Sequence, residues 1–293
     1  MKEQDISVVD GSSTHEKLRQ RKCRKKDWLT ILLVLLFVIG LCVLLYPAIS
    51  NCWNSFRQTR AIASYVSSVE QLDEKAYEEM WEDAVAYNDS LLHRDYRWAM
   101  SAEEKKEYNS LLDIDGNGMI GYVEIPTIHV SLPIYHGTSE DVLQIAAGHL
   151  AGSSLPIGGE NTHCVISGHC GLPSAQLFSN LDRLKEGNLF VIRVLDETLT
   201  YEVDQIRIVD PDDMSDLKIE EGKDLCTLLT CTPYGVNTHR LLVRGHRISN
   251  QGADPVQMAA DVQQSGWRVA AVVITLLLFI FLVLLLVKKK KER

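Results

Sequence analysis

Residues 225–247 read LCTLLTCTPYGVNTHRLLVRGHR. Two runs rich in leucine, valine and threonine flank a segment holding Pro233, Gly235 and Asn237, the pattern of two strands joined by a turn. The first strand ends at Cys231; the second starts near His239 and carries Arg240. A thiol at a strand end is fixed by the strand yet open to a ligand. Only the thiolate attacks well, and a free cysteine has a pKa of about 8.5, so it needs a base or cation beside it. Spacing leaves two choices open. Arg240 and Arg244 share one face of their strand, and Cys226 fits the strand pattern as well as Cys231 does.

Upstream, YVEIPTIHVSLPIYHG (122–137), HCVISGH (163–169), LFVIRVL (189–195) and LTYEVDQIRIV (199–209) are short, β-branched or aromatic, and separated by Gly, Pro, Asn and Asp. No helical pattern alternates with them, which predicts a barrel or sandwich of about 130 residues. His169 ends one of these runs between Gly168 and Gly171 and is a candidate acid and base. Before the β region, Ile62, Val66, Val69, Leu72, Ala76, Met80, Ala84, Tyr87 and Leu91 recur at steps of three and four. This predicts helix over 55–92, as a stalk or a hairpin. HRDYRWAMS (93–101) breaks the pattern as an aromatic loop. A short helix then follows, with Ser101 as N-cap and Glu104 completing a capping box.

The ends differ in texture. Residues 29–46 and 269–287 are apolar runs without a charge, near the length a spanning helix needs. The first exceeds the apolar core of a signal peptide, so it is expected to be an uncleaved anchor. Residues 1–27 hold eight Lys/Arg against five Asp/Glu, and 288–293 hold five against one, although the chain's net charge is −9. Positive flanks on both runs predict two spans with both ends cytoplasmic and the acidic middle outside. That acidic middle argues against a nucleic-acid partner.

Two apparent metal motifs read better as ordinary structure. Asp113, Asp115, Asn117, Gly118 and Glu124 fit the calcium-loop spacing, but Pro126 and β-branched residues replace the exiting helix, so a Gly-rich turn is expected. His163, Cys164, His169 and Cys170 do not have a common zinc spacing, and adjacent strand residues point to opposite faces. No cofactor or metal is called for. Seven cysteines, irregularly spaced, do not suggest a disulfide framework.

The segment TLLTCTPYGVNTHRLLVRG (227–245) resembles the signature of the sortases, in which TLxTC is followed by an arginine on the next strand. SGHCGLPSAQLFSNLDRLKEGN (167–188) resembles the family's histidine segment. GYVEIPTIHVSLPIYHG (121–137) and GHLAGSSLPIGGENTHCVISGH (148–169) resemble its early strands. The resemblance implies a mainly β fold, an eight-stranded barrel, with Cys231 as nucleophile, His169 as acid and base, and Arg240 as oxyanion stabiliser. It implies substrate contacts at Leu229, Thr230, Pro173 and Ser174. CTPYGVNTHRLLVRG, GLPSAQLF, the helical N-terminal region and a second apolar run are similar to class C, the pilin-polymerising branch.

Class C enzymes usually carry a lid with an Asp-Pro-aromatic motif. Here the corresponding stretch has Asp95, Tyr96 and Trp98 without proline, and Tyr96 or Trp98 is expected to plug the cleft. Cys170 stands where the family commonly has arginine, and it could reach Cys231 as a disulfide. The expected organisation is a cytoplasmic basic tail (1–27), a transmembrane helix (28–46), an extracellular helical region (47–112) with a lid at 93–101, and a catalytic barrel (113–248). A tether (249–267), a second transmembrane helix (268–287) and a cytoplasmic tail (288–293) follow. The barrel is thus flanked by two membrane helices.

The implied activity joins the threonine of an LPxTG-like sorting signal to a lysine of another pilin subunit, so pilins and the membrane are the expected partners. The alternatives are anchoring to cell-wall precursor amines and, outside catalysis, a membrane-tethered binding protein.

Overall fold

The structure, a computed structural model, describes residues 12–94 and 97–250. The chain divides into two compact units, Met1–Pro47 and Ala48–Arg293. Helix α1 (Ser12–Glu70) begins in the first. Among the described residues it is the one helix long and apolar enough to cross a membrane, with a window of mean hydropathy 2.9. Leu33, Leu36, Val43 and Leu44 stand exposed along it, as a lipid-facing helix would have them.

The expectation of two spans flanking the barrel is therefore corrected: among the described residues one helix, near the N-terminus, meets the test. The placement of both ends in the cytoplasm goes with it, because it required two crossings. The run at 268–287, most of the tether and the tail at 288–293 lie outside the described residues.

In the second unit the helical region is two helices, the end of α1 and a second one. The long periodic run over 55–92 is interrupted at Gln71–Asp73. Asp73 caps α2 (Glu74–Leu91) by accepting from the Ala76 amide at 2.9 Å. The buried face of α2 is Ala84, Tyr87, Asn88 and Leu91, the spacing of one helix stripe. Asn88 accepts from the Leu155 amide at 2.7 Å and donates to its carbonyl at 3.3 Å, a two-point tie to the barrel. Helix α3 (Ala102–Tyr108) starts at the expected capping box of Ser101 and Glu104.

The rest is a closed barrel of eight strands in the order β1-β2-β3-β4-β7-β8-β6-β5. The strands are β1 (Met119–Ile125), β2 (Val130–His136), β3 (Ala147–His149), β4 (Thr162–Ser167), β5 (Leu189–Val194), β6 (Glu197–Val209), β7 (Asp224–Thr232) and β8 (His239–Ile248). All pairings are antiparallel except β2 with β3 and β4 with β7. A four-residue helix, α4 (Glu140–Leu143), lies in the β2–β3 connection.

Alternate residues fill the interior: Cys164 and Ile166 on β4, Cys226 and Leu228 on β7, Leu241 and Val243 on β8. Phe190 stacks on Tyr201 there, with ring centroids 5.4 Å apart. It passes so close to Gly245 that a Cβ there would lie 2.7 Å from its ring. A second, smaller apolar cluster forms on the opposite faces of these strands, around Val165, Leu217 and Leu242, with Leu150, Val209, Met214, Leu229 and Trp98 packed against it.

The calcium-like loop is a turn that uses its own side chains. Asp113 accepts from the Gly118 amide and Asn117 from the Met119 amide, both at 2.9 Å. Glu124, on β1, pairs with Arg193 on β5 at 3.0 Å. His163 and Cys164 point to opposite faces. The His163 Nδ1–H donates to the Lys218 carbonyl at 2.7 Å and its Nε2 accepts from Thr227 Oγ1 at 2.8 Å.

Candidate active site

Strand β7 is the organising element. It pairs in parallel with β4 on one side and antiparallel with β8 on the other. The antiparallel register sets Cys231 directly opposite Arg240. The parallel register aligns Ser167 with Leu229, so His169, two residues on, arrives beside Cys231, two residues past Leu229. The backbone between is fixed twice. The Gly168 amide donates to the Leu229 carbonyl at 3.0 Å, and Thr230 Oγ1 donates to the Gly168 carbonyl at 2.7 Å. Gly168 must be glycine, because a Cβ would sit 2.6 Å from the Phe178 ring. Phe178 in turn ties to His169 main chain, its amide donating to the His169 carbonyl at 3.1 Å.

His169, Cys231 and Arg240 open onto one cleft of about 320 Å³. Its floor is Leu229 and Leu242 with Ser167 and Gly168. One wall is the β2–β3 connection with Thr138 and Leu143. The other is the β6–β7 connection, represented by Pro211, Asp213 and Met214. The cleft is lined mostly by apolar groups, as ligand sites commonly are. A larger cavity of about 520 Å³, bounded by Leu91, Arg94, Arg97 and Lys218, is lined by no cysteine, serine or histidine.

Both choices that spacing left open are distinguished by surroundings. Arg244 is consumed by carboxylates: its guanidinium donates to both Asp204 oxygens and to Glu220, each at 3.0 Å. Arg240 donates to the His239 and Asn237 carbonyls at 3.2 and 3.4 Å, and among the described residues no carboxylate pairs with it. Cys226 faces the barrel interior beside Cys164, and burial pushes its thiol well above the ordinary value. Cys231 reaches the cleft. Cys170 and Cys231 are both free thiols. Burial, then the nearby Asp182 carboxylate, push the Cys170 thiol upward.

The expected substrate contacts separate. Leu229 lines the cleft. Thr230 points into the barrel, 2% exposed. Pro173 and Ser174 lie outside the cleft, and the Ser174 carbonyl accepts from Asn54 on α1 at 2.8 Å. Of the expected lid, Asp95 and Tyr96 lie outside the described residues. Trp98 packs against the cluster of Val165, Leu217 and Leu242, and Leu217 and Leu242 of that cluster also line the cleft. Arg97 lies 4.4 Å over the Trp98 ring and donates to the Leu217 carbonyl.

Sequence reasoning missed the two connections that wall the cleft and Glu140, whose Oε2 is 3.6 Å from His169 Nε2. Nothing periodic marks loop residues, so only the known position of the histidine could have drawn attention to them.

The sortase domain family model matches residues 123–248. The chain is similar to the solved structure of sortase C1 from Streptococcus agalactiae: 54% identity, 65% of this chain and 99% of that chain covered, TM-score 0.62. It is similar to a sortase C of Streptococcus pneumoniae, whose structure bears on pilin substrate specificity, at 46% identity, 64% and 96% coverage and TM-score 0.57. Among curated proteins, sortase D of Bacillus subtilis (strain 168) is 33% identical over 132 residues, which are 44% of this chain and 64% of that one. The chain thus spans just under two thirds of that relative.

Proposed function

The chain belongs to the sortase family, in its class C branch, and from that premise we propose that it is a cysteine transpeptidase that polymerises pilins. Cys231 attacks the Thr–Gly carbonyl of an LPxTG-like sorting signal, and the oxyanion that forms is met by the Arg240 guanidinium, always charged and able to offer two N–H donors. His169 gives its proton to the departing glycine amine, leaving a thioester between the threonine and Cys231. A lysine amine of the next pilin then attacks the thioester. His169 accepts that amine's proton as the isopeptide bond forms and the Cys231 sulfur leaves.

The observation that supports this most is the convergence of three residues, distant in sequence, on one cleft by the pairing of β4, β7 and β8. The apolar floor of Leu229 and Leu242 suits the leucine and proline of such a signal. A helix able to cross a membrane suits substrates gathered at a membrane surface, where effective concentration replaces affinity.

The test uses the full chain in detergent with a purified pilin bearing an LPxTG-like signal. The expected outcome is an SDS-resistant ladder and, by intact mass, an acyl adduct, both absent from Cys231→Ala. An adduct without a ladder points to another acceptor amine. A ladder that persists in Cys231→Ala overturns the assignment of the nucleophile.

A further inference from the structure

The chain leaving His169 forms a loop that closes back on the histidine, where the Phe178 amide donates to the His169 carbonyl at 3.1 Å. Within it the buried Leu177 holds a φ of +39°, which a leucine adopts only where its surroundings impose it. The β2–β3 connection, one wall of the cleft through Thr138 and Leu143, ends at Ile145, whose amide donates to the Val142 carbonyl of α4 at 3.1 Å. Neither segment belongs to a strand, so the ladder of the barrel does not fix their paths.

One face of α1 holds both. Asn51 Oδ1 accepts from the Gln176 amide at 2.8 Å, and Asn54 Nδ2 donates to the Ser174 carbonyl at 2.8 Å. Gln58, a buried side chain, donates from Nε2 to the Ile145 carbonyl at 2.7 Å. Positions 51, 54 and 58 lie on one helical stripe, with its ends about 10 Å apart at 1.5 Å per residue. All three belong to the second compact unit, with the barrel.

We infer that Asn51, Asn54 and Gln58 are positioning residues for the cleft. They tie the loop that carries His169 and the wall through Leu143 to one rigid helix, which sets the spacing between the two segments. Every tie is to main chain, so it fixes the path of the backbone whatever side chains the segments carry. An acid and base works only within hydrogen-bond reach of its proton, and small misplacements of such a group are costly. The inference rests on the transpeptidase reading for what His169 does, but the ties themselves are measurable without turnover.

The test exploits the opposite polarity of the two asparagines. Asn51 accepts and Asn54 donates, so aspartate can replace the first and not the second. Full-length variants in detergent are compared by kcat and KM for Cys231-dependent turnover of the pilin, by hydrogen–deuterium exchange and by urea midpoint. Asn54→Asp, Asn54→Ala and Asn51→Ala are expected to lower kcat about three- to ten-fold, the worth of one hydrogen bond. KM changes little, because Ser174 and Gln176 do not line the cleft. Exchange speeds up over residues 170–178. Asn51→Asp restores most of what Asn51→Ala loses. Gln58→Glu, which cannot donate, speeds exchange over 138–146 instead. Should Asn54→Asp fail to fold, Asn54→Ala set against Asn51→Asp carries the comparison. Asn51→Asp and Asn54→Asp behaving alike overturns the inference, as does wild-type kcat and exchange in every variant. Wild type making no Cys231-dependent product overturns the transpeptidase reading instead, and the exchange pattern still decides the ties.

Discussion

Thr230 sits between Leu229 and Cys231 on β7, yet its side chain points the other way, into the barrel, and donates to the Gly168 carbonyl. That bond ties the residue before the cysteine to the residue before the histidine. Its effect on catalysis is therefore one of alignment, because Thr230 does not reach the cleft. Thr230→Val keeps the shape and removes the donor, leaving a buried carbonyl short of a partner. The expected cost is about 1–2 kcal/mol of stability, read as a lower urea midpoint. A fall in kcat with KM nearly unchanged is expected beside it, since the substrate-facing Leu229 is untouched. A variant with wild-type midpoint and wild-type kcat would remove Thr230 from the account.

At the scale of elements, the end of α1 closes the barrel through one buried tyrosine. The Tyr65 hydroxyl donates to the Ile120 carbonyl at 3.1 Å and accepts from the Leu195 amide at 2.8 Å. Its ring meets Tyr122 edge-on, with centroids 6.4 Å apart. Tyr65→Phe keeps the ring but orphans a main-chain donor and an acceptor, so a loss of about 1–3 kcal/mol is expected. Chemical denaturation followed by tryptophan fluorescence checks it, and an unchanged midpoint would show that water replaces the hydroxyl freely.

How much of these elements could be read in advance follows from their physics. Strands β5 to β8 announce themselves by long β-branched runs. β3 has only Ala147, Gly148 and His149, residues with no strand signature, and is defined by its neighbours. The segment 122–137 reads as one β stretch, but Pro126 starts a turn that His129 completes with a φ of +52°. The break at 71–73 was hidden because neither glycine nor proline marks it, and only the cap at Asp73 does. For the site, the burial of Cys226 in the barrel interior and the partners of Arg244, which come from β6 and the β6–β7 connection, were both beyond any local pattern.

For the molecule as a whole, the buried histidines set the response to acid. Burial lowers His163 and His136 from the ordinary value to about 4. His163 has no accessible surface, and His136 lies edge-on to Tyr108 with centroids 4.7 Å apart. Between about pH 6.5 and 4 the unfolded chain binds protons that the folded chain refuses, so stability is intact above that window and falls as pH drops through it. Each group contributes up to about 1.4 kcal/mol per pH unit there. Asp224 opposes this, because burial raises its carboxyl, but it is one group against two. The expected outcome is a denaturation midpoint that declines steadily from pH 6.5 to 4.5, with a shallower decline in His163→Gln. A flat midpoint over that range would show that the rings are solvated in the folded state.

The parallel pairing of β4 with β7, and the position of β8 as the last strand, also govern when the chain first becomes reactive. Sixty-odd residues of chain separate His169 from Cys231, and the arginine arrives only with β8, which pairs with both β6 and β7. Contacts so far apart in sequence form late in folding. A growing or partly threaded polypeptide therefore carries its thiol without the groups that arm it. Maturation and activation are thereby coupled, because a chain interrupted before residue 240 lacks both β8 and the arginine that completes the cleft.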